Sequence, residues 1–231
     1  MKIGIIGAGQ IGGALTRRFT ALGHQVFVAN SRGPGTLAGL ARETGASPVS
    51  VTEAARSGDV VVVTIPMKNV PRLHPGLFAG VPDSVVVVDT GNYYPQQRDG
   101  CIDEIEAGVT ESGWVAQRLG RPVVKAFYNI YAQHLMDLGR LASSSGLIAL
   151  PVAGDIQTSK EVVLRPLDEI GFDGVDAGGL DESWRQQPGT PVYTTDFDVA
   201  GVRRALSEAS RQRKPEWRAI LNSPGSFAQP K

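Results

Sequence analysis

One short segment constrains this chain more than any other. Residues Gly7-Ala8-Gly9-Gln10-Ile11-Gly12 follow an apolar stretch, Lys2–Ile6, and lead into Gln10–Leu22, where Ile11, Leu15, Phe19 and Leu22 recur at the spacing of one helix face. A strand, a G-x-G-x-x-G turn and a helix in immediate succession form a cradle for a dinucleotide pyrophosphate. In such a turn Gly7 permits the tight bend, Gly9 lets the backbone approach the phosphates, and Gly12 lets the helix pack on the strand. The helix N-terminus then offers free amide donors. A glycine-rich turn without a ligand is the alternative, and the joint match of strand, loop and helix argues against it.

The rest of the chain repeats the unit. Gln25–Ala29 reads as a second strand, Thr36–Glu43 as a weaker helix, Pro48–Val51 as a short strand, and Thr52 as the cap of a brief helix ending at Arg56. Asp59–Ile65 and Ser84–Asp89 are near-continuous valine runs, the pattern of strands covered by helices on both faces. Pro122–Phe127 and Leu147–Val152 read as further strands of this kind, Ser159–Ile170 as a helix with an awkward Pro166, and Phe172–Asp176 as a last strand. Repeated strand–helix–strand units predict an α/β fold with a doubly wound, mostly parallel sheet. After about Leu180 the strands stop: Val199–Arg213 reads as a polar helix, Pro215–Leu221 as the start of another, and the tail from Ser223 as irregular. The expected division is a dinucleotide-binding domain over residues 1–150 and a C-terminal part over 151–231 that continues the sheet, turns helical and closes the cleft.

Composition narrows the function classes. With 23 Lys+Arg against 23 Asp+Glu the formal charge is zero, which argues against a general nucleic-acid or membrane-surface binder. The single cysteine, Cys101, excludes an intramolecular disulfide framework, and three scattered histidines without carboxylate partners suggest no metal site. No apolar run approaches the ~20 residues that span a bilayer, and Met1–Ile6 does not read as a signal peptide, so a cytoplasmic protein is expected.

The end of the second strand points to the nucleotide. An NAD-preferring site places a carboxylate there to hold the ribose hydroxyls, whereas this chain has Asn30-Ser31-Arg32. Ser31 can donate to a 2′-phosphate, and Arg32 can pair with it and stack on adenine. The expected cofactor is therefore NADP(H).

In an open parallel sheet, ligands lie beyond the carboxyl ends of the strands. Thr64-Ile65-Pro66-Met67, Thr90-Gly91-Asn92-Tyr93-Tyr94-Pro95 and Phe127-Tyr128-Asn129-Ile130-Tyr131 occupy those places, and they hold four of the five tyrosines. These tyrosines suit a flat, partly polar ring, and equally a subunit interface. His24 and His74 are expected in solvent, His134 on a packed helix, and Lys125 paired inside its strand. Tyr93, Tyr94, Tyr128 and His134 are the candidates for catalytic roles, none of them with an evident partner. Hydride transfer between two redox rings needs juxtaposition and desolvation, and no visible acid, base or nucleophile.

Together these motifs resemble the NADP oxidoreductases dependent on the deazaflavin coenzyme factor 420. The likeness lies in Gly7–Gly13, Asn30-Ser31-Arg32, Thr64-Ile65-Pro66, Asp89–Tyr94, Val123–Phe127, Pro151–Asp155 and Asp176–Leu180, and covers roughly residues 1–182. It implies a Rossmann fold with a smaller C-terminal part, and hydride exchange between NADPH and a deazaflavin. It also implies that Gly9, Gln10 and Ile11 meet the pyrophosphate and that Ser31 and Arg32 meet the 2′-phosphate. Thr64, Ile65 and Pro66, with Ala126 and Asn129, would line the nicotinamide pocket, and Asn92 joins the cofactor-binding set. The chain departs from the pattern at Tyr128, where Asn is expected, and after Leu180. The acceptor is accordingly open: a deazaflavin, a flavin, a quinone-like ring or a ferric chelate. Imine or carbonyl reduction with a tyrosine proton donor is a variant, and a non-catalytic NADP(H)-sensing protein is the rival class. A small-molecule acceptor and a homodimer are the expected partners.

Overall fold

The computed structural model describes residues 1–140 and 146–224. Six strands form one parallel sheet: β1 (Lys2–Ile6), β2 (Gln25–Ala29), β3 (Ser47–Pro48), β4 (Val60–Val63), β5 (Val86–Asp89) and β6 (Val124–Lys125), in the order β3-β2-β1-β4-β5-β6. This is the doubly wound Rossmann arrangement, and the chain reverses its direction of winding between β1 and β4. Pro48 pairs with Val28 on the outer edge, where its missing N–H costs no ladder bond.

Alternation along the strands builds two cores. Val60, Val62, Val86 and Val88 face Leu15 and Phe19 of α1 (Gln10–Ala21), Leu135 of α6 (Ala132–Asp137) and Val163 and Leu167 of α7 (Gln157–Glu169). Val61, Val63 and Val87 face Ala54 and Ala55 of α3 (Val51–Ser57) and Trp114, Val115 and Leu119 of α5 (Glu111–Leu119). Both faces are covered, as the valine runs require. Two short helices complete this part, α2 (Ala38–Thr44) and α4 (Asp103–Glu106). The helix at 51–57 starts one residue before the predicted Thr52 cap: Ser50 caps it, accepting from the Glu53 N–H while Glu53 Oε2 accepts from the Ser50 N–H at 2.8 Å.

The C-terminal strands depart from expectation. β7 (Ala149–Val152) and β8 (Asp173–Asp176) do not extend the main sheet; they pair in parallel with each other as a separate two-stranded sheet. The link to the main sheet is an antiparallel bridge between Lys125 and Ala153, whose backbone groups exchange hydrogen bonds at 2.8 and 3.1 Å. A small third core, with Ala149, Val175, Val192, Val202 and Ala205, packs this sheet against α8 (Val199–Ser207), which ends well before the predicted Arg213. A single turn of 3-10 helix at Pro215–Trp217 stands where a longer helix was expected. The irregular tail predicted from Ser223 falls almost wholly outside the described residues.

Candidate dinucleotide and acceptor cleft

The glycine turn has the geometry its spacing predicts. Gly7 adopts φ +115°, and a Cβ there would collide with the Thr64 carbonyl oxygen. A Cβ on Gly12 would collide with the Gly7 carbonyl oxygen, whereas a Cβ on Gly9 would meet nothing within 4 Å. Gly7 and Gly12 are therefore glycines because backbone packs against them, and Gly9 because space is left open in front of it. Gly9 caps α1 without a side-chain hydrogen bond, and the first turn carries no acid. The orphan N–H groups at that end are free for an anion, which the helix dipole also favours. These features fit a pyrophosphate.

Past β2, the neighbour of β1, Asn30 folds the chain back. Its Oδ1 accepts from the Arg32 N–H at 2.9 Å, and its amide nitrogen donates to Thr36 Oγ1 at 2.9 Å. Asn30 thus acts as a turn-former, with Ser31 and Arg32 exposed on the tip. Among the described residues no carboxylate forms an ion pair with Arg32, so its charge is uncommitted on the same edge of the sheet as the glycine turn.

A cleft of about 470 Å³ opens at that edge. Its walls are Gly9, Gln10 and Ile11 from the glycine turn, Thr64, Ile65 and Pro66 after β4, and Thr90, Gly91, Asn92, Tyr94 and Arg98 after β5. Tyr128, Ile130, Tyr131 and Ala132 close it from the β6 side, and Tyr193 and Thr194 from the C-terminal segment. Among the described residues the two non-glycine positions with positive φ are Phe127 (59°) and Thr194 (55°). One immediately precedes cleft residue Tyr128 and the other lines the cleft; such strain persists where surrounding structure enforces a functional geometry.

The four expected catalytic candidates separate. Tyr94 and Tyr128 line the cleft. Tyr93 does not: it is fully buried in the core, and its hydroxyl accepts from the Ile102 N–H at 3.1 Å. His134 lies outside the cleft wall, with Nδ1 bonded to Asp196 at 2.9 Å and its ring edge-on to Tyr131. Of the expected nicotinamide neighbours, Ala126 and Asn129 are fully buried and do not line the cavity. Both Asn129 amide atoms nevertheless lack partners, as does the Tyr128 hydroxyl. His24 is not the solvated residue expected: its ring bonds Glu169 at 2.7 Å and stands edge-on to Phe19.

The tyrosine missed by sequence reasoning is Tyr193, whose hydroxyl meets that of Tyr94 across the cleft. Nothing local marks it, since it reaches the site on an irregular loop. Burial raises the Tyr94, Tyr128 and Tyr193 hydroxyls above their ordinary range; the Tyr94–Tyr193 contact adds to the rise at Tyr193 and opposes it at Tyr94. All three thus stay protonated at neutral pH, as donors rather than bases. Arg98 holds the loop: its guanidinium donates to the Asn92 carbonyl oxygen, pairs with Asp99 at 2.9 Å and lies 4.9 Å from the Tyr94 ring centre.

Behind the cleft sits a buried charge cluster. Lys125 Nζ donates to the Gly91 carbonyl oxygen at 3.0 Å, lies 4.4 Å from the Tyr128 ring centre and 3.7 Å from Glu111 Oε2. Glu111, at the start of α5, is fully buried, and neither of its oxygens accepts a hydrogen bond from a side chain. Desolvation pushes its carboxyl up, against the opposing attraction of Lys125 and Arg213. Glu111 also went unseen in the sequence, where no helix was read between Asp89 and Pro122 and where its burial follows only from tertiary packing.

Residues 2–93, from β1 to just past β5, match the family described as NADP oxidoreductase, coenzyme F420-dependent. Over this stretch the resemblance read from the motifs holds. The protein YjhV of Escherichia coli K12 is 42% identical over 90 residues, which are 38% of this chain and 64% of YjhV, less than two thirds of it. A hypothetical protein of Sinorhizobium meliloti, SMa0349, superposes with a TM-score of 0.71 at 29% identity, covering 85% of this chain and 94% of its own. An Arthrobacter sp. FB24 structure described as an F420-dependent NADP reductase gives a TM-score of 0.61 at 20% identity, over 78% of this chain and 85% of its own. At that identity the last likeness speaks for the fold. Among the described residues no helix is long and apolar enough to cross a membrane, and no cluster of three or more His, Cys, Asp or Glu is placed to hold a metal ion.

Proposed function

We propose that this chain is an NADP(H)-dependent oxidoreductase that passes a hydride between the nicotinamide and a flat redox acceptor held in the cleft. The observation that carries the reading is the open space before Gly9, continuous with a cleft walled by Thr64–Pro66 and the tyrosines. The uncommitted Arg32 on the same sheet edge supports NADP(H) over NAD(H). When bound, the nicotinamide supplies the hydride chemistry. The chain's own residues bind and orient: α1 amides hold the pyrophosphate, Ser31 and Arg32 the 2′-phosphate, and Thr64, Ile65 and Pro66 one face of the ring site. Tyr94, Tyr128 and Tyr193 supply aromatic surface for a second ring and exclude water from between the two.

The acceptor class is a deazaflavin, flavin, quinone or ferric chelate. Reduction of an imine or carbonyl is a second reading, favoured by the Tyr94–Tyr193 hydroxyl pair, which stays protonated and faces the cleft. Assembly as a homodimer belongs to the same proposal and is tested by light scattering. The activity is tested by following NADPH oxidation with a panel of these acceptors. Turnover with at least one supports the reading; tight NADPH binding without turnover on any sinks it in favour of an NADP(H)-sensing protein.

A further inference from the structure

Two carboxylates are buried near each other behind the cleft, and their surroundings differ. Asp89, at the end of β5, accepts from Ser112 Oγ at 2.6 Å and from the Gly91 N–H at 2.8 Å, so it ties the start of α5 to the loop after β5. Glu111, the residue before Ser112, is fully buried, and neither of its oxygens has a hydrogen-bond partner. Lys125 Nζ stands 3.7 Å and Arg213 Nη2 3.8 Å from it, near enough to attract and too far to bond. A buried ion pair stabilises a fold when hydrogen bonds offset its desolvation, and Glu111 has none. Asp89 is placed as a brace, and Glu111 is not.

The groups that face Glu111 suit a carboxyl that gives up and regains a proton. Burial favours its neutral form, Lys125 and Arg213 favour the anion, and Asp89 opposes the anion. The Tyr93 backbone N–H is turned toward it without making a hydrogen bond. On the cleft side stand tyrosines. Lys125 Nζ lies 4.4 Å from the Tyr128 ring centre, so Glu111 and Tyr128 share one ammonium. Tyr128 lines the cleft, yet its hydroxyl is shut off from solvent and has no partner. After burial itself, Glu111 and then Tyr193 are the neighbours that push this hydroxyl up. Tyr193 in turn meets Tyr94 in the cleft. The order Glu111, Tyr128, Tyr193, Tyr94 thus leads from a buried carboxyl to the open site.

We propose that Glu111 is the internal proton source of the cleft, a positioning residue that acts on the acceptor through Tyr128 and the Tyr193–Tyr94 pair. The role rests on the oxidoreductase reading above. Every organic acceptor named there takes up a proton together with the hydride. Tyr94 gives its hydroxyl proton to the acceptor and regains one from Tyr193, Tyr193 from Tyr128, and Tyr128 from Glu111. The balance is one hydride and one proton added to the acceptor, NADPH oxidised to NADP⁺, and a carboxylate left at Glu111. Lys125 and Arg213 stabilise that carboxylate, and the proton returns from solvent along the same path once product has left.

The test joins infrared spectroscopy to kinetics on the full chain. The spectrum of the parent minus that of Glu111→Gln, at neutral pH and without nucleotide, should show the carbonyl stretch of a protonated carboxyl. With an organic acceptor, Glu111→Gln should lower kcat about 10²-fold and leave both KM values within about twofold. Tyr128→Phe, which keeps the ring beside Lys125, should do the same, and the double variant should lose no more. The parent's kcat should fall as pH rises through the titration of Glu111, and this limb should be missing from both variants. If Glu111→Gln does not fold, Tyr128→Phe decides. Absence of the carboxyl band, an unchanged kcat, or a pH limb that persists in the variants overturns the proposal and leaves the oxidoreductase reading standing. A parent that turns over no acceptor overturns both.

Discussion

Replacing Arg32 with alanine isolates the cofactor assignment. The side chain is exposed at the tip of the Asn30 turn, and the hydrogen bond that shapes the turn runs from its backbone N–H, which alanine keeps. Stability should therefore stay within about 0.5 kcal/mol of the parent. A charge-assisted hydrogen bond contributes about 1.5–3 kcal/mol, and exposure of this side chain points to the lower part of that range. A loss of about 1.5–2 kcal/mol corresponds to about 10- to 30-fold weaker NADPH binding. NADH, which has no 2′-phosphate and shares only the stacking on adenine, should lose no more than about two- to fivefold. Calorimetry with both nucleotides at low salt measures the two ratios. Repetition at 0.15 M salt should narrow the NADPH gap, because the screening length falls from about 30 Å at 0.01 M to about 8 Å. Equal losses for NADPH and NADH, or no loss for either, would refute the phosphate role.

Other outcomes follow from the same geometry. Gly12→Ala should cost about 2 kcal/mol or more in thermal unfolding, since its Cβ has no room beside the Gly7 carbonyl. Gly9→Ala should stay folded, within about 1 kcal/mol, yet lose NADPH affinity about tenfold or more, because its methyl enters the space kept for phosphate. A Gly9→Ala chain that binds normally would remove the glycine turn from the site. Glu111 carries a raised carboxyl pKa when folded, so its contribution to stability is fully present below the ordinary carboxylate range and is lost as pH rises through the folded value. Urea unfolding of Glu111→Gln beside the parent should show the difference moving in the variant's favour as pH rises above about 4.5; a slope of opposite sign contradicts the desolvation account. With an imine or carbonyl acceptor, Tyr94→Phe and Tyr193→Phe should each lower kcat about 10²-fold, and the double variant no further, since the hydroxyls act as a pair. Independent, multiplying losses would show that they do not share one proton.

The first half of the fold was legible because its signals are local. The β1–α1 turn, the α1 face and the valine runs depend on residues a few positions apart, and the alternation of Val60–Val63 between two cores follows from strand pleat alone. The second half depended on long-range choices. Ala149–Val152 is apolar on both faces, which suits any covered strand, and only tertiary contact reveals that it pairs with Asp173–Asp176 rather than with β6. The cleft divides in the same way. Strand ends and the Gly9 loop could be placed from spacing, and Tyr94 and Tyr128 came with them. Tyr193 sits on a segment without periodicity, and Glu111 opens a helix, α5, that was not read from the sequence. Tyr93 was misplaced for a related reason. It is next to Tyr94 on an irregular stretch, where no periodicity tells which ring faces the core.

The central claim is hydride transfer within the cleft, and label transfer tests it most directly. The chain is incubated anaerobically with NADPH carrying deuterium at the transferring carbon and with each acceptor in turn, and the reduced acceptor is analysed by mass spectrometry and NMR. The account predicts oxidation of NADPH matched one to one by reduction of a deazaflavin or other flat acceptor, with deuterium found on the acceptor's reduced carbon where that carbon retains it. Tight NADPH binding with no turnover on any acceptor would contradict it, as would loss of the label to solvent during reduction of a deazaflavin.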